Sequence, residues 1–252
     1  MHSQYIVDHD EWAYGQPKLK SAGKIDLRPI PGVLPFSGVR NPLTTSSISQ
    51  KVAFKYRTAA NNWQPKVGLA ESLAELAVAH EALINPDIHD VEFQPLQFQY
   101  QRPDGSTHLH TIDLRITFRS GLRCLMFVRN SESLTKSSVN EEIRAIWRAA
   151  PAHEAHKFVV IDADAYSRAR RDNLRHMHQA AAFEPDPEAD TIVMAAATNL
   201  ATLWRISDLF RTIGLSSGRI FKACLRLVAR GLLQADMDAV ICDRSRIWRA
   251  KA

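Results

Sequence analysis

At 252 residues, with 45% apolar and 23% charged residues, the chain is long enough for two cored domains and is composed like a globular protein, not a disordered or fibrous one. No apolar run approaches the roughly 18–20 residues that span a bilayer, and Met1 to Asp10 lacks the basic-then-apolar order of a secretory leader, so no membrane partner is expected. The formal charge is +5, yet Asn199 to Ala252 alone holds ten basic residues against four acidic ones, a bias that points to a polyanionic partner, most simply double-stranded DNA.

Residues 1–66 are punctuated by glycine and proline and show little periodicity, which predicts an extended, partly ordered arm carrying Lys51, Lys55, Arg57 and Lys66 near its end. From Leu69 to Ile84 apolar residues recur at helical spacing, and Asn85-Pro86 stops the helix because a residue before proline disfavours the α region. Ile88 to Tyr100 alternates as a strand, and Arg102-Pro103-Asp104-Gly105 forms a turn. Leu109 to Phe118 is the returning strand, Ser120-Gly121 turns again, and Leu122 to Val128 is a nearly all-apolar strand suited to a sheet centre. A helix over Val139–Ala150, a buried strand over Lys157–Asp162 and a polar helix over Asp164–Ala182 complete an α/β layer with a mixed sheet.

Phe183-Glu184-Pro185-Asp186-Pro187-Glu188 breaks that pattern, so a core over 67–183 and a linker over 184–190 are expected. In 191–252, helical periods cover Thr191–Asn199, Leu203–Ile213 and Ser216–Leu232. A two-stranded element over Ala239–Cys242 and Arg246–Trp248 follows, the order of an α+β winged helix-turn-helix domain. Arg219, Lys222, Arg226 and Arg230 fall on one stripe of the third helix, predicted to face outward. In such a domain this helix enters the major groove, which places Ser217 and Arg219 near base edges and Lys222, Arg226 and Arg230 toward the backbone. Arg244 and Arg246 are expected on the wing. The three cysteines, Cys124, Cys224 and Cys242, have neither zinc-ligand nor disulfide spacing, which suits a reducing cytoplasm.

The core orders its polar residues as metal-dependent nucleases of the PD-(D/E)xK type do: Glu75 on a helix, Asp113 on a strand, and Phe127-Val128-Arg129 on the next strand where (Glu/Gln)-x-Lys belongs. Ser72-Leu73-Ala74-Glu75, Asn85-Pro86-Asp87-Ile88, Gln94-Pro95, Tyr100, Asp104-Gly105, His110-Thr111-Ile112-Asp113 and Asn173-Leu174 together resemble the TnsA family of transposon endonucleases. The resemblance covers roughly residues 67–180 and implies a restriction-endonuclease-like core followed by a winged helix. It also implies catalytic positions at Glu75, Asp113 and Arg129, and Mg²⁺ or Mn²⁺ held by Glu75, Asp113 and the Val128 carbonyl if the centre is active, with no cofactor otherwise. The partners it implies are a transposase subunit and an ATP-dependent regulator.

The third strand departs from the family chemically. Phe127 offers no oxygen to a hard cation, and Arg129 stays protonated, so it cannot act as a base. The first expectation is a DNA-binding protein whose hydrolysis is impaired or lost. Two others stay open: an active endonuclease of a mobile element cutting one strand at the element's ends, and a regulatory subunit whose winged helix and arm bind proteins.

Overall fold

The computed structural model describes residues 23–44, 50–102, 104–200 and 204–250. Among these the chain is α/β, with a mixed four-stranded sheet, three antiparallel two-stranded ribbons and seven α-helices. No helix among them is long and apolar enough to cross a membrane.

The end of the expected arm is ordered. Strand β1 (Val52–Tyr56) pairs antiparallel with β2 (Lys66–Ala70), in register from Val52↔Ala70 to Tyr56↔Lys66. Alternation drives this: Phe54 and Tyr56 turn their rings onto Phe93, while Ala53 and Lys55 face solvent. Gly68 lies opposite Phe54, and a Cβ there would come within 2.8 Å of the ring, so the glycine is what lets the ring lie across the ribbon. The chain before the ribbon also packs on it. Leu43 is buried with Val67 and Leu69, and Leu34 exchanges backbone hydrogen bonds with Pro65 and Val67. Residues 1–22 and 45–49 of the expected arm lie outside the described residues.

Pairing of Lys66–Ala70 delays the helix predicted from Leu69. Helix α1 runs Leu73–Ile84, with the Ser72 hydroxyl accepting from the Glu75 amide at 3.1 Å and Asn85 in an extended conformation at its end. The two strands predicted next each break in the middle. Strands β3 (Ile88–Phe93) and β6 (Leu114–Phe118) pair with one another, as do β4 (Gln97–Gln101) and β5 (Thr107–Thr111). Between them Gln94 takes φ +51° and Pro95 has no N–H to donate, so the ladder bends. Bonds from the Gln94 amide to the Asp113 carbonyl (3.0 Å) and from the Ile112 amide to the Leu96 carbonyl (3.1 Å) hold both halves in one bent hairpin.

Strand β7 (Arg123–Arg129) lies between β6 and β8 (Lys157–Asp162) in the order β3-β6-β7-β8. It is antiparallel to β6 and parallel to β8, the crossover passing through α2 (Ser131–Leu134) and α3 (Ser137–Ala149). One sheet face, with Leu114, Ile116 and Val128, packs on α1 and α4 (Arg168–Phe183). The other, with Leu125 and Phe127, packs on Ile143 and Ile146 of α3.

The linker expected over 184–190 is shorter. Asp186 caps α5 (Pro187–Asn199), where proline at the first helical position costs no hydrogen bond. Helices α6 (Ile206–Phe210) and α7 (Ser217–Ala229) follow. The closing ribbon pairs β9 (Leu233–Ala235) with β10 (Ile247–Arg249), and Arg205 adds a single bridge to Arg246. The strand expected over Ala239–Cys242 is therefore a loop. Gly231 turns the chain at φ +71° directly after α7, which brings Leu233 into the core before that point. The two expected domains share α4: its Met177 and Ala180 belong to the same apolar cluster as Val193, Ile220 and Leu227. Buried Asn173 on α4 donates to the Met237 and Ala239 carbonyls and accepts from the Ile241 amide.

Candidate functional site

Glu75 sits in the first turn of α1, held by the Ser72 cap, and only 3% of it is exposed. Its Oε2 accepts from the Glu71 amide at 2.9 Å, and its Oε1 has no hydrogen-bond partner. Asp113 occupies the bend between β5 and β6, partly buried, where its Oδ2 accepts from the Val128 amide at 2.9 Å. Burial, and then repulsion from Asp113, push the Glu75 carboxyl well above the ordinary carboxylate range, against the pull of Arg40 and Lys51. Burial likewise raises Asp113, against the Val128 hydrogen bond and the charges of Arg129 and Arg40. The hairpin bend and the helix cap thus bring together the two carboxylates that the sequence order predicts.

Two further cations come from a segment to which sequence reasoning gave no role in the site. Arg40 pairs with Glu71, and its Nε donates to Gln94 Oε1 at 3.2 Å. Gln94 is fully buried beside the pair, and its Nε2 has no partner in hydrogen-bond geometry. Lys51 immediately precedes Val52, the residue paired with Ala70, so the ribbon's register brings it toward the start of α1. Burial lowers its pKa, opposed by Glu75 and reinforced by Arg40. No local pattern marks Arg40, because its placement depends on residues 33–43 folding back over β2. Val39 does so through its amide to the Gln94 carbonyl at 2.9 Å.

The tip of β7 is arranged differently from the expected ligand set. Phe127 is 2% exposed and packs with Leu96, Ile112 and Ile146. The Arg129 guanidinium lies over its ring, 3.8 Å from the centroid, and donates from Nη1 to the Val128 carbonyl at 2.9 Å. That carbonyl, expected as a metal ligand, is therefore engaged by the neighbouring side chain. No ion pair joins Arg129 to Asp113 among the described residues; it acts on Asp113 only through its charge. No group of three or more histidine, cysteine, aspartate or glutamate side chains suited to a metal occurs among the described residues.

The basic stripe of α7 is not a free surface. Arg219 donates to Asp186 at 2.8 and 3.0 Å and to Glu188 at 2.6 Å. Lys222 stands 2.5 Å from Glu184. Arg226 is buried, bonded through Nε to Asp190 Oδ1 at 2.7 Å and through Nη1 to the Glu184 carbonyl at 2.9 Å. Arg230 lies 2.9 Å from Asp190 Oδ2, an electrostatic contact without hydrogen-bond geometry. The expected outer stripe thus faces the acidic run Glu184–Asp190, while α4 covers another side of α7. The alternation of Glu184, Asp186, Glu188 and Asp190 was the available signal: four acids precede four bases that helical spacing puts on one face. Of the remaining predicted contacts, Ser217, Arg244 and Arg246 are exposed. The Arg246 guanidinium lies 3.7 Å from the centroid of the exposed Trp204 ring.

No protein-family model matches the chain, and no curated protein matches it.

Proposed function

We propose that the chain binds double-stranded DNA and that Glu75 and Asp113 form a phosphodiesterase-type centre in which hydrolysis is impaired or lost. The carboxylate pair carries the reading: two acids on a helix start and a hairpin bend, both with raised pKa, beside a central strand. By its order of parts this is a PD-(D/E)xK-type core of TnsA-like kind, followed by a winged helix made of α5, α6, α7 and the β9–β10 ribbon. A transposase subunit and an ATP-dependent regulator are the partners that kinship implies. Free Cys124, Cys224 and Cys242 support work in a reducing cytoplasm.

Mg²⁺ or Mn²⁺ fits the acidic pair, because such ions are held by one or two carboxylates and keep several waters, and Glu75 Oε1 is an orphaned buried acceptor. When bound, the ion would polarise a phosphate and activate water. The chain's own residues limit that chemistry. Val128 gives its carbonyl to Arg129, Phe127 fills the third ligand position with a ring, and Arg129 lies over that ring. Asp113 is held in place by the Val128 amide, which favours its charged form. DNA contact is assigned to the surface that keeps its cations free, namely Arg244 and Arg246 on the wing, with Ser217 at the start of α7.

One observation favours the second reading, an active endonuclease of a mobile element. Arg40 and Lys51 bring positive charge to Glu75, and Arg129 adds its charge at Asp113. Supercoiled plasmid incubated with Mg²⁺ or Mn²⁺, beside Asp113→Ala, separates the two. Salt-sensitive binding without metal-dependent nicking is the expected result. Nicking that vanishes in the variant establishes the endonuclease, and the absence of any duplex binding removes both readings.

A further inference from the structure

A cleft of about 210 Å³ opens between the β1–β2 turn, the end of α1, the end of α4 and the end of α7. Arg57, Trp63, Asn85, Arg119, His178 and Arg230 are among the residues on its walls, and no aspartate or glutamate lines it. None of these residues belongs to the carboxylate centre.

Two of its arginines keep charge to spare. Arg57 donates from Nη1 to the Ala182 carbonyl at 3.2 Å and lies over the Phe183 ring, while its buried Nε has no partner. Arg119 is braced by a bond from Nε to the Pro86 carbonyl at 2.6 Å. Among the described residues neither forms an ion pair with a carboxylate, whereas Arg230 is balanced by Asp190. Burial pushes the His178 imidazole down to about 4, which leaves it neutral beside them.

Trp63 is 57% exposed at the rim, and its backbone is unusual. Asn62 and Trp63 take φ +53° and +59° in succession, a left-handed conformation that is disfavoured for a bulky side chain. Local bonds impose it: the Trp63 amide donates to the Thr58 carbonyl at 2.9 Å, and the Thr58 amide donates to Asn61 Oδ1 at 2.9 Å. A strained turn that holds an indole in water beside unneutralised guanidiniums has no packing rationale. Strain of this kind concentrates where a ligand is held.

We propose that this cleft binds a single nucleotide unit, its phosphate taken by Arg57 and Arg119 and its base stacked on Trp63. Guanidinium forks match phosphate oxygens, and an exposed indole stacks on any base. The volume is below the about 300 Å³ at which drug-sized pockets begin, so a duplex cannot enter. The unit comes either from an unpaired strand or from a free mononucleotide.

The test titrates the full chain with a short oligothymidylate and, separately, with thymidine monophosphate, following the heat of binding by calorimetry and repeating each titration at raised salt. Trp63→Ala and Arg119→Glu, both at exposed positions, are compared with Trp63→Phe, and thermal unfolding checks that each variant is folded. Salt-sensitive binding that weakens about tenfold in Trp63→Ala and in Arg119→Glu, and is largely kept in Trp63→Phe, is the expected result. Binding of the monophosphate as well as the strand identifies a free nucleotide, and binding of the strand alone identifies unpaired nucleic acid. Absence of binding by either ligand, or affinities that neither substitution changes, overturns the proposal. Neither outcome depends on nicking or on duplex affinity, so the proposal stands or falls apart from the carboxylate reading.

Discussion

Arg226 and Asp190 form an ion pair inside the protein: Nε and Oδ1 are 2.7 Å apart, with 1% and 6% of the two side chains exposed. The Arg226 guanidinium also reaches the Glu184 carbonyl, tying the core helix α7 to the start of α5. Desolvated charges of this kind are costly to leave single. Arg226→Ala or Asp190→Ala is expected to destabilise the protein by about 3–5 kcal/mol in urea unfolding, whereas Arg226→Met combined with Asp190→Leu recovers most of that loss. A loss below about 1 kcal/mol in both single variants would show that the pair is solvated in solution.

The neighbouring stripe leads to an unusual expectation for DNA binding. Because Arg219 and Lys222 are already neutralised by Asp186, Glu188 and Glu184, Arg219→Ala and Lys222→Ala leave duplex affinity nearly unchanged. Arg244→Ala and Arg246→Ala lower it, and each flattens the slope of log affinity against log salt by about one unit. Fluorescence anisotropy over a salt series measures both. The reverse ranking would mean that the acidic run releases the stripe when DNA arrives.

Raised carboxyl pKa values make stability fall as pH rises. Glu75 and Asp113 bind protons more tightly folded than unfolded, so their burden is absent at acid pH and grows from the ordinary range, 4.5 for a glutamate, upward through their folded values. Glu75→Gln is therefore expected to be more stable than the parent at neutral pH and to show a flatter fall toward alkaline pH. Mn²⁺ raises the thermal midpoint of the parent at neutral pH and leaves Asp113→Asn unmoved. Parent and Glu75→Gln with parallel pH profiles would refute the assignment.

A second pair acts with the opposite sign. His80 and His178 stack with ring centroids 4.7 Å apart between α1 and α4, and burial pushes them down to about 3 and about 4. The unfolded chain takes up protons near the ordinary histidine value of 6.5 while the folded protein does not, so stability is lost as pH falls below that value. Replacing His178 by Phe is expected to reduce this acid-side slope in pH-dependent thermal unfolding. An unaltered slope would place the protonation elsewhere.

Much of the frame was legible because its causes are local. The Lys157–Asp162 strand has the bounds that its apolar run predicts, Asn85-Pro86 ends the helix as expected, and Gly105 and Gly121 take the positive φ that their turns require. Periodicity misled where tertiary contacts interrupted it. Leu69 continues the helical spacing of α1 but is claimed by pairing with Ala53, and the alternation from Ile88 to Tyr100 runs through a bend that it cannot register.

The sequence alone determined which chemical groups this protein has to work with: a helix glutamate, a strand aspartate, a third strand without a ligand, and a C-terminal segment rich in arginine. Tertiary structure decided what each of them faces. It bent the hairpin to bring Asp113 toward Glu75, drew Arg40 into the site from a segment with no motif, and turned the α7 stripe onto Glu184–Asp190. Backbone propensity acts over a few residues and can be read in order along the chain. The partner of a charge depends on which element crosses it in space, and burial decides whether that charge is free to meet anything outside the protein.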